Sequence, residues 1–219
     1  MTAKERRGRP KKLKRATGVR PVKRTFRIYA EGEATEPEYI DLIRRLPEVE
    51  ASTSVAISVE ERGATPLTLV TSACDDKRRS NLDIDEYWCV FDVENPKPHP
   101  HLADACVKAR DNGVHIAVSN PCFELWLILH LRDCAKSLST EEAIRLRRDL
   151  DGSDLKHLDA EKYRPHIDDA VRRARKLRDK HIKDGSGFPH DNPSSSFDLF
   201  VGDLMKAAQP LADQNVTTR

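Results

Sequence analysis

The 219-residue chain carries 38 Lys/Arg against 36 Asp/Glu, a formal net charge of +2, and is 34% charged but only 5% aromatic. This suits a globular chain with one modest core. No run reaches the ~18 apolar residues that span a bilayer, so no membrane partner is expected, and the basic start lacks the apolar stretch of a secretory signal.

The near-neutral total hides an asymmetry. Residues 1–24 hold eleven Lys/Arg and one acid, leaving 27 basic and 35 acidic residues for the rest. Without apolar periodicity this stretch is expected to be a disordered basic arm. Within it Arg6, Arg7, Arg9, Lys11, Lys12, Lys14 and Arg15 are the candidate nucleic-acid contacts. Arg7-Gly8-Arg9-Pro10 is similar to an AT-hook core, which lays arginines along a narrow minor groove; a solvated tail with general affinity for polyanions is the plainer reading.

Thr25–Ala30 alternates and predicts a strand ending at Glu31-Gly32. Thr35-Glu36-Pro37-Glu38 opens a helix, with Thr35 as cap and Pro37 in the first turn, and Tyr39, Leu42, Ile43 and Leu46 form its apolar stripe. Residues 54–60 read as a second strand. A helix follows from Thr65-Pro66 to about Arg79, and Tyr87–Val93 is a continuously apolar strand of the kind buried on both faces. Residues 101–112 predict a helix stopped by Gly113, and 114–118 a fourth strand. The hydrophobic run SNPCFELWLILHL places Glu124 in the first turn or so of the next helix. Beyond it, 140–150 and 161–183 read as long charged helices, the second with Ile167, Ala170, Val171, Ala174 and Leu177 at helical spacing; a Gly/Pro/Ser-rich loop then precedes a last helix at about 195–208. The alternation of strands and helices predicts an open, mainly parallel α/β sheet with helices on both faces. The expected organisation is an arm at 1–24, an α/β core at 25–135, a helical extension packing on it at 136–210, and a flexible tail at 211–219.

Ligands of such sheets collect beyond the carboxyl ends of the strands, and acids recur there. Glu31, Glu33 and Glu36 follow the first strand. Asp92 and Glu94, two residues apart, would point to one side of an extended chain at the end of the third. Glu124 follows the fourth. Carboxylates arriving from sequence-distant loops repel one another, and a hard divalent cation, Mg²⁺ or Mn²⁺, resolves the repulsion. Glu31, Asp92, Glu94 and Glu124 are the candidate catalytic groups, and Glu31, Glu36, Asp92 and Glu94 the candidate metal ligands. Each also has a plainer reading, as the acidic first turn of a helix or as a strand exit. His99 and His101, in PKPHPH directly after the Asp92/Glu94 pair, are close enough to reach a site, with solvated loop residues as the plainer reading. Five widely spaced cysteines (Cys74, Cys89, Cys106, Cys122, Cys134) without a CxxC pair argue against a disulfide framework or a zinc site, and fit reduced thiols in a cytoplasm. No phosphate-cradling GxxxxGK[ST] is present.

Four blocks, EGEATEPEY (31–39), FDVE (91–94), SNPCFELWL (119–127) and NPSS (192–195), together resemble the RloB-like family across about residues 25–205. The resemblance implies a Toprim-like sheet and a nuclease group of abortive-infection and restriction-associated loci, encoded beside an AAA or ABC-type ATPase. A Toprim site uses a glutamate after its first strand and a DxD pair after a later one; Glu31 and Asp92 match these, and Glu94 stands where the second aspartate would be. The expected activity is Mg²⁺-dependent phosphodiester hydrolysis of RNA or DNA, with the arm attracting the polyanion together with Arg172, Arg173, Arg175, Lys176 and Arg178, for which a solvated helix face is the plainer reading. The competing reading is a non-catalytic adaptor that binds an ATPase partner and nucleic acid, and a third is a DNA-binding regulator resting on the arm alone. Any of them is compatible with a homo-oligomer.

Overall fold

The computed structural model describes residues 23–208 apart from 33, 60–63, 82 and 153–156. The seven arm residues proposed to touch nucleic acid, from Arg6 to Arg15, lie outside these, as do Glu33 and the tail at 211–219.

Strands β1 (Arg24–Ala30), β2 (Thr53–Val59), β3 (Glu86–Asp92) and β4 (His115–Asn120) are parallel, and a two-residue β5 (Ser194–Ser195) pairs antiparallel with β4, in the order β2-β1-β3-β4-β5. The helices are α1 (Thr35–Arg44), α2 (Pro47–Ser52), α3 (Pro66–Arg79), α4 (Leu102–Asp111), α5 (Glu124–Leu131), α6 (Thr140–Asp151), α7 (Ala160–Tyr163), α8 (Ile167–Asp184) and α9 (Phe197–Ala208). The result is a mostly parallel sheet covered on both sides, consistent with a Toprim-like open α/β fold.

Period-two alternation sorts the sheet side chains. Phe26, Ile28, Trp88 and Val90 enter one core with residues of α1, α2, α5, α6, α8 and α9; Tyr29, Tyr87, Cys89 and Phe91 enter the other, under α3 and α4. β3 is therefore buried on both faces, as its unbroken apolar sequence requires.

Three elements differ from expectation. α2 buries only Val49, too little for an apolar period to show. The segment read as one helix from 161 breaks into α7, a 3-10 turn at Arg164–His166 and α8, because Pro165 cannot donate to a continuing helix. Ser194 and Ser195, read as the approach to the last helix, form β5: Ser119 and Ser195 share a hydroxyl hydrogen bond of 3.1 Å, and Ser196 donates its N–H to Val118 O at 2.9 Å. Among the described residues no helix is long and apolar enough to cross a membrane.

The run after Glu124 is the centre of the larger core. Leu125 to Leu129 are fully buried, with Trp126 in a cluster of mostly edge-on rings with Tyr39, Phe123 and Phe197; such pairs contribute about 0.5–1.5 kcal/mol each beyond area burial. His130 sits among them. Its Nε2 lies 2.8 Å from the Tyr39 hydroxyl and its Nδ1 2.9 Å from Trp126 O, which sets the neutral tautomer: Nδ1–H donates to the carbonyl and Nε2 accepts from Tyr39. Burial lowers its pKa to about 4. The unfolded chain, titrating near 6.5, binds more protons than the fold between these values, so this histidine's contribution is present above pH 6.5 and fades as pH falls toward 4, by about 3 kcal/mol in total. NMR should find the His130 ring neutral at pH 5.5; a ring that titrates above pH 6 would contradict the buried tautomer.

Candidate active site

The chain leaves β1 through α1 to β2 on one side, then crosses back to β3 on the other. Connections thus diverge beyond the carboxyl ends of β1 and β3, and a crevice opens there. The register aligns Ala30 with Val90, so Glu31 and Asp92 emerge side by side: Glu31 donates its N–H to Val90 O at 3.2 Å, and its Oε2 accepts the Asp92 N–H at 3.4 Å. By alternation Asp92 faces the same side as Trp88 and Val90, the side covered by α1 and α5. These helices bring Glu36 and Glu124.

The electrostatics show that the acids converge. Burial first, then repulsion from Glu36, Glu124 and Glu31, pushes the Asp92 carboxyl well above the carboxylate range, opposed by the Phe123 N–H at the start of α5. Glu36, 7% exposed, is raised to about 7, chiefly by burial; its own N–H opposes this, and Glu124 and Glu31 add to it. Glu31 is raised by burial and by Glu94, against the pull of His99. Thr35 does not cap α1, whose N-cap is Ala34 with no side-chain bond; the Glu36 carboxylate takes its own amide instead. That carboxylate folds back over Gly32, where an added Cβ would stand 1.9 Å from Oε2. Any other residue at 32 would make that carboxylate move.

Glu94 departs from the expected geometry. Its φ of 70° puts it in the left-handed region, so Asp92 and Glu94 do not leave on one side of an extended strand. Its N–H donates to Pro121 O at 2.8 Å, and its Oε2 accepts the Thr140 hydroxyl at 2.8 Å from the first residue of α6. Thr140 also accepts the Asn95 N–H at 3.1 Å and donates its own N–H to Asn95 O at 2.9 Å. Asn95 and Asn192 both donate side-chain N–H groups to Leu138 O. Glu124, half-buried, is the first residue of α5.

His99 is not a solvated loop residue. Its Nε2 is 3.0 Å from Glu31 Oε1. His101 is exposed and pairs with Asp104, as a surface residue would. Glu38 is turned away from the crevice, binding His157 and the Leu158 N–H. The cations expected to attract a polyanion from α8 have partners: Arg172 with Asp169, Arg175 and Arg178 with the buried Asp198, Lys176 with Asp133, and Arg173 with the carbonyls of Leu129 and His130. His99 and Thr140 carried no periodic or motif signal; a histidine next to the Asp92/Glu94 pair was the one hint.

Among the described residues no three His, Cys, Asp or Glu side chains form a ready-made cation cage. Mg²⁺ is held through one or two carboxylates, with waters and substrate oxygens completing its shell. Buried carboxylates that lift one another's pKa fit that demand, since a cation would restore their charge. The family profile described as RloB-like protein matches residues 26–204. Comparison with curated proteins and with solved structures finds no match to either.

A site of this kind opposes stability. The fold binds a proton at Glu36 that the unfolded chain has lost, so stability falls as pH rises from about 4.5 through 7. Glu36→Gln should therefore stabilise the metal-free protein at pH 8 by about 2–3 kcal/mol, and the gain should vanish at pH 5. Equal urea midpoints for the two proteins at pH 8 would remove Glu36 from the repelling set.

Proposed function

The chain belongs to the RloB-like family, and from that footing we propose that it is a metal-dependent nuclease that hydrolyses phosphodiester bonds of RNA or DNA. The observation that carries the reading is the convergence of Glu31, Glu36, Asp92 and Glu124 at the β1/β3 crevice, where burial and the neighbouring acids raise the pKa of Glu36 and Asp92. Glu31 and Asp92, with Glu94 and Glu36 beside them, would hold Mg²⁺ or Mn²⁺. Such an ion supplies Lewis acidity toward a phosphoryl oxygen and lowers the pKa of a bound water. Asp92, at the end of the strand buried on both faces, fixes the position of the site. Glu124 and Glu36 offer acceptors for a water's proton. The Phe123 amide and the end of α5 keep the charge on Asp92 tolerable.

An acidic body needs a separate source of attraction for a polyanion. With Arg172, Arg175, Lys176 and Arg178 of α8 each beside an acid, the cluster in residues 1–22 is the natural one. A cytoplasmic setting, a role in defence against phage and an ATPase partner are further proposals, supported by the family's resemblance and, for the compartment, by five free cysteines. The adaptor reading is favoured by the missing ready-made cage among the described residues.

Calorimetry decides between them. Wild type should take up Mn²⁺, and Asp92→Asn should lose it with its fold intact; cleavage of RNA or DNA in Mn²⁺ should fall by more than the ~10–100-fold typical of an outer-shell change. Wild-type protein that takes up no cation would favour the adaptor. Removing residues 1–22 should weaken nucleic-acid binding and flatten its salt dependence by ~0.7–0.9 in slope for each phosphate no longer neutralised; an unchanged slope would mean that the body, and not the arm, binds the polyanion.

A further inference from the structure

We propose that His99 is a positioning residue: it fixes the orientation of Glu31, and through Glu31 the placing of the cation, an inference that rests on the metal-site reading above. Glu31 follows directly on the end of β1. Here its two oxygens are claimed separately, Oε2 by the Asp92 N–H at 3.4 Å and Oε1 by His99 Nε2 at 3.0 Å. A carboxylate with a nitrogen beside each oxygen keeps one face toward the crevice.

The histidine is itself held. Its N–H donates to Val93 O at 2.9 Å, closing the 94–99 loop onto the end of β3, while Glu94 N–H is tied to Pro121 O at 2.8 Å. Asn95 is bound to Thr140 through both its N–H and its carbonyl. Pro98 and Pro100 flank the position and narrow its backbone freedom. The loop is thus pinned at its start and at His99, and the imidazole arrives over Glu31 from a fixed base. A carboxylate only accepts, so the ring must present Nε2–H. In this conformation Nε2 is buried and near Oε1 but without a well-aligned hydrogen bond. A buried polar atom in that state calls for a reason, and a small turn of Glu31 toward a bound cation, bringing Oε1 into line, supplies one.

Mn²⁺ titration calorimetry on wild type, His99→Ala and His99→Gln tests the role. His99→Ala should weaken Mn²⁺ uptake about 10–100-fold, as loss of an outer partner of a ligating group does. His99→Gln, whose amide can donate over a similar reach, should recover most of it. Equal affinity in His99→Ala and wild type overturns the proposal. So does a glutamine variant as weak as the alanine one, which would make the imidazole a direct ligand. A metal-free urea-unfolding cycle on wild type, His99→Ala, Glu31→Gln and the double variant separates two failures. Coupling between the substitutions without Mn²⁺ uptake by wild type sinks the metal reading and leaves the His99–Glu31 pairing standing. Strict additivity sinks the pairing.

Discussion

Like charges held together inside a fold are the constraint from which the rest of this molecule can be understood. Two unit charges about 6 Å apart at an effective dielectric of about 20 repel by about 3 kcal/mol, and burial adds to that. Nothing in the local sequence wants this arrangement. It persists because β3 is packed on both faces and α5 is buried all round, so the ends of these elements cannot relax apart without exposing the core. The surroundings then soften the repulsion by small means. The Phe123 amide serves Asp92, Glu36 turns onto its own N–H across Gly32, and Thr140 serves Glu94.

Those partners come from both halves of the chain. Residues 138–140 meet Asn95 and Glu94 from one direction and Asn192 from another, and Asn120 reaches Pro189 O and Asp191, both at 3.0 Å. α6, α8 and α9 share one apolar core with the first face of the sheet. The helices after residue 136 are therefore part of what shapes the crevice. A shift in α6 would reach Glu94 through one hydrogen bond.

Much of this was legible in the residues, and unevenly so. β3 announced itself through its continuous apolar run, and the sheet through the alternation of strand and helix. Glu31 and Asp92 stood out because a charge directly after a buried strand needs a reason. What escaped was of another kind. β5 is two serines paired through backbone and hydroxyls, with no hydrophobic pattern to betray them. His99 and Thr140 owe their positions to where loops close in space, which linear spacing does not encode. For the α8 cations the sequence shows charge but not that Arg175, Lys176 and Arg178 have acidic partners outside the helix, at Asp133 and Asp198. Thr35 read well as a cap, but the helix starts one residue earlier, with Ala34 as its N-cap and the Glu38 N–H on Ala34 O.

Glu94 shows how one substitution relative to a resembled pattern finds a structural sense. An aspartate in that place would sit a methylene closer to the backbone. With φ at 70° the chain at this point has already turned off the strand, a conformation that costs non-glycine residues of order 1 kcal/mol or more. The longer side chain spans from that turn to the Thr140 hydroxyl while still acting on Glu31. Its extra reach thus joins the crevice to the start of α6, where the positive end of a helix and a hydroxyl both favour a carboxylate. The strained backbone at 94 and the glutamate there are then two parts of one device. The turn takes the backbone off the strand, and the length of the side chain carries its carboxylate to the Thr140 hydroxyl.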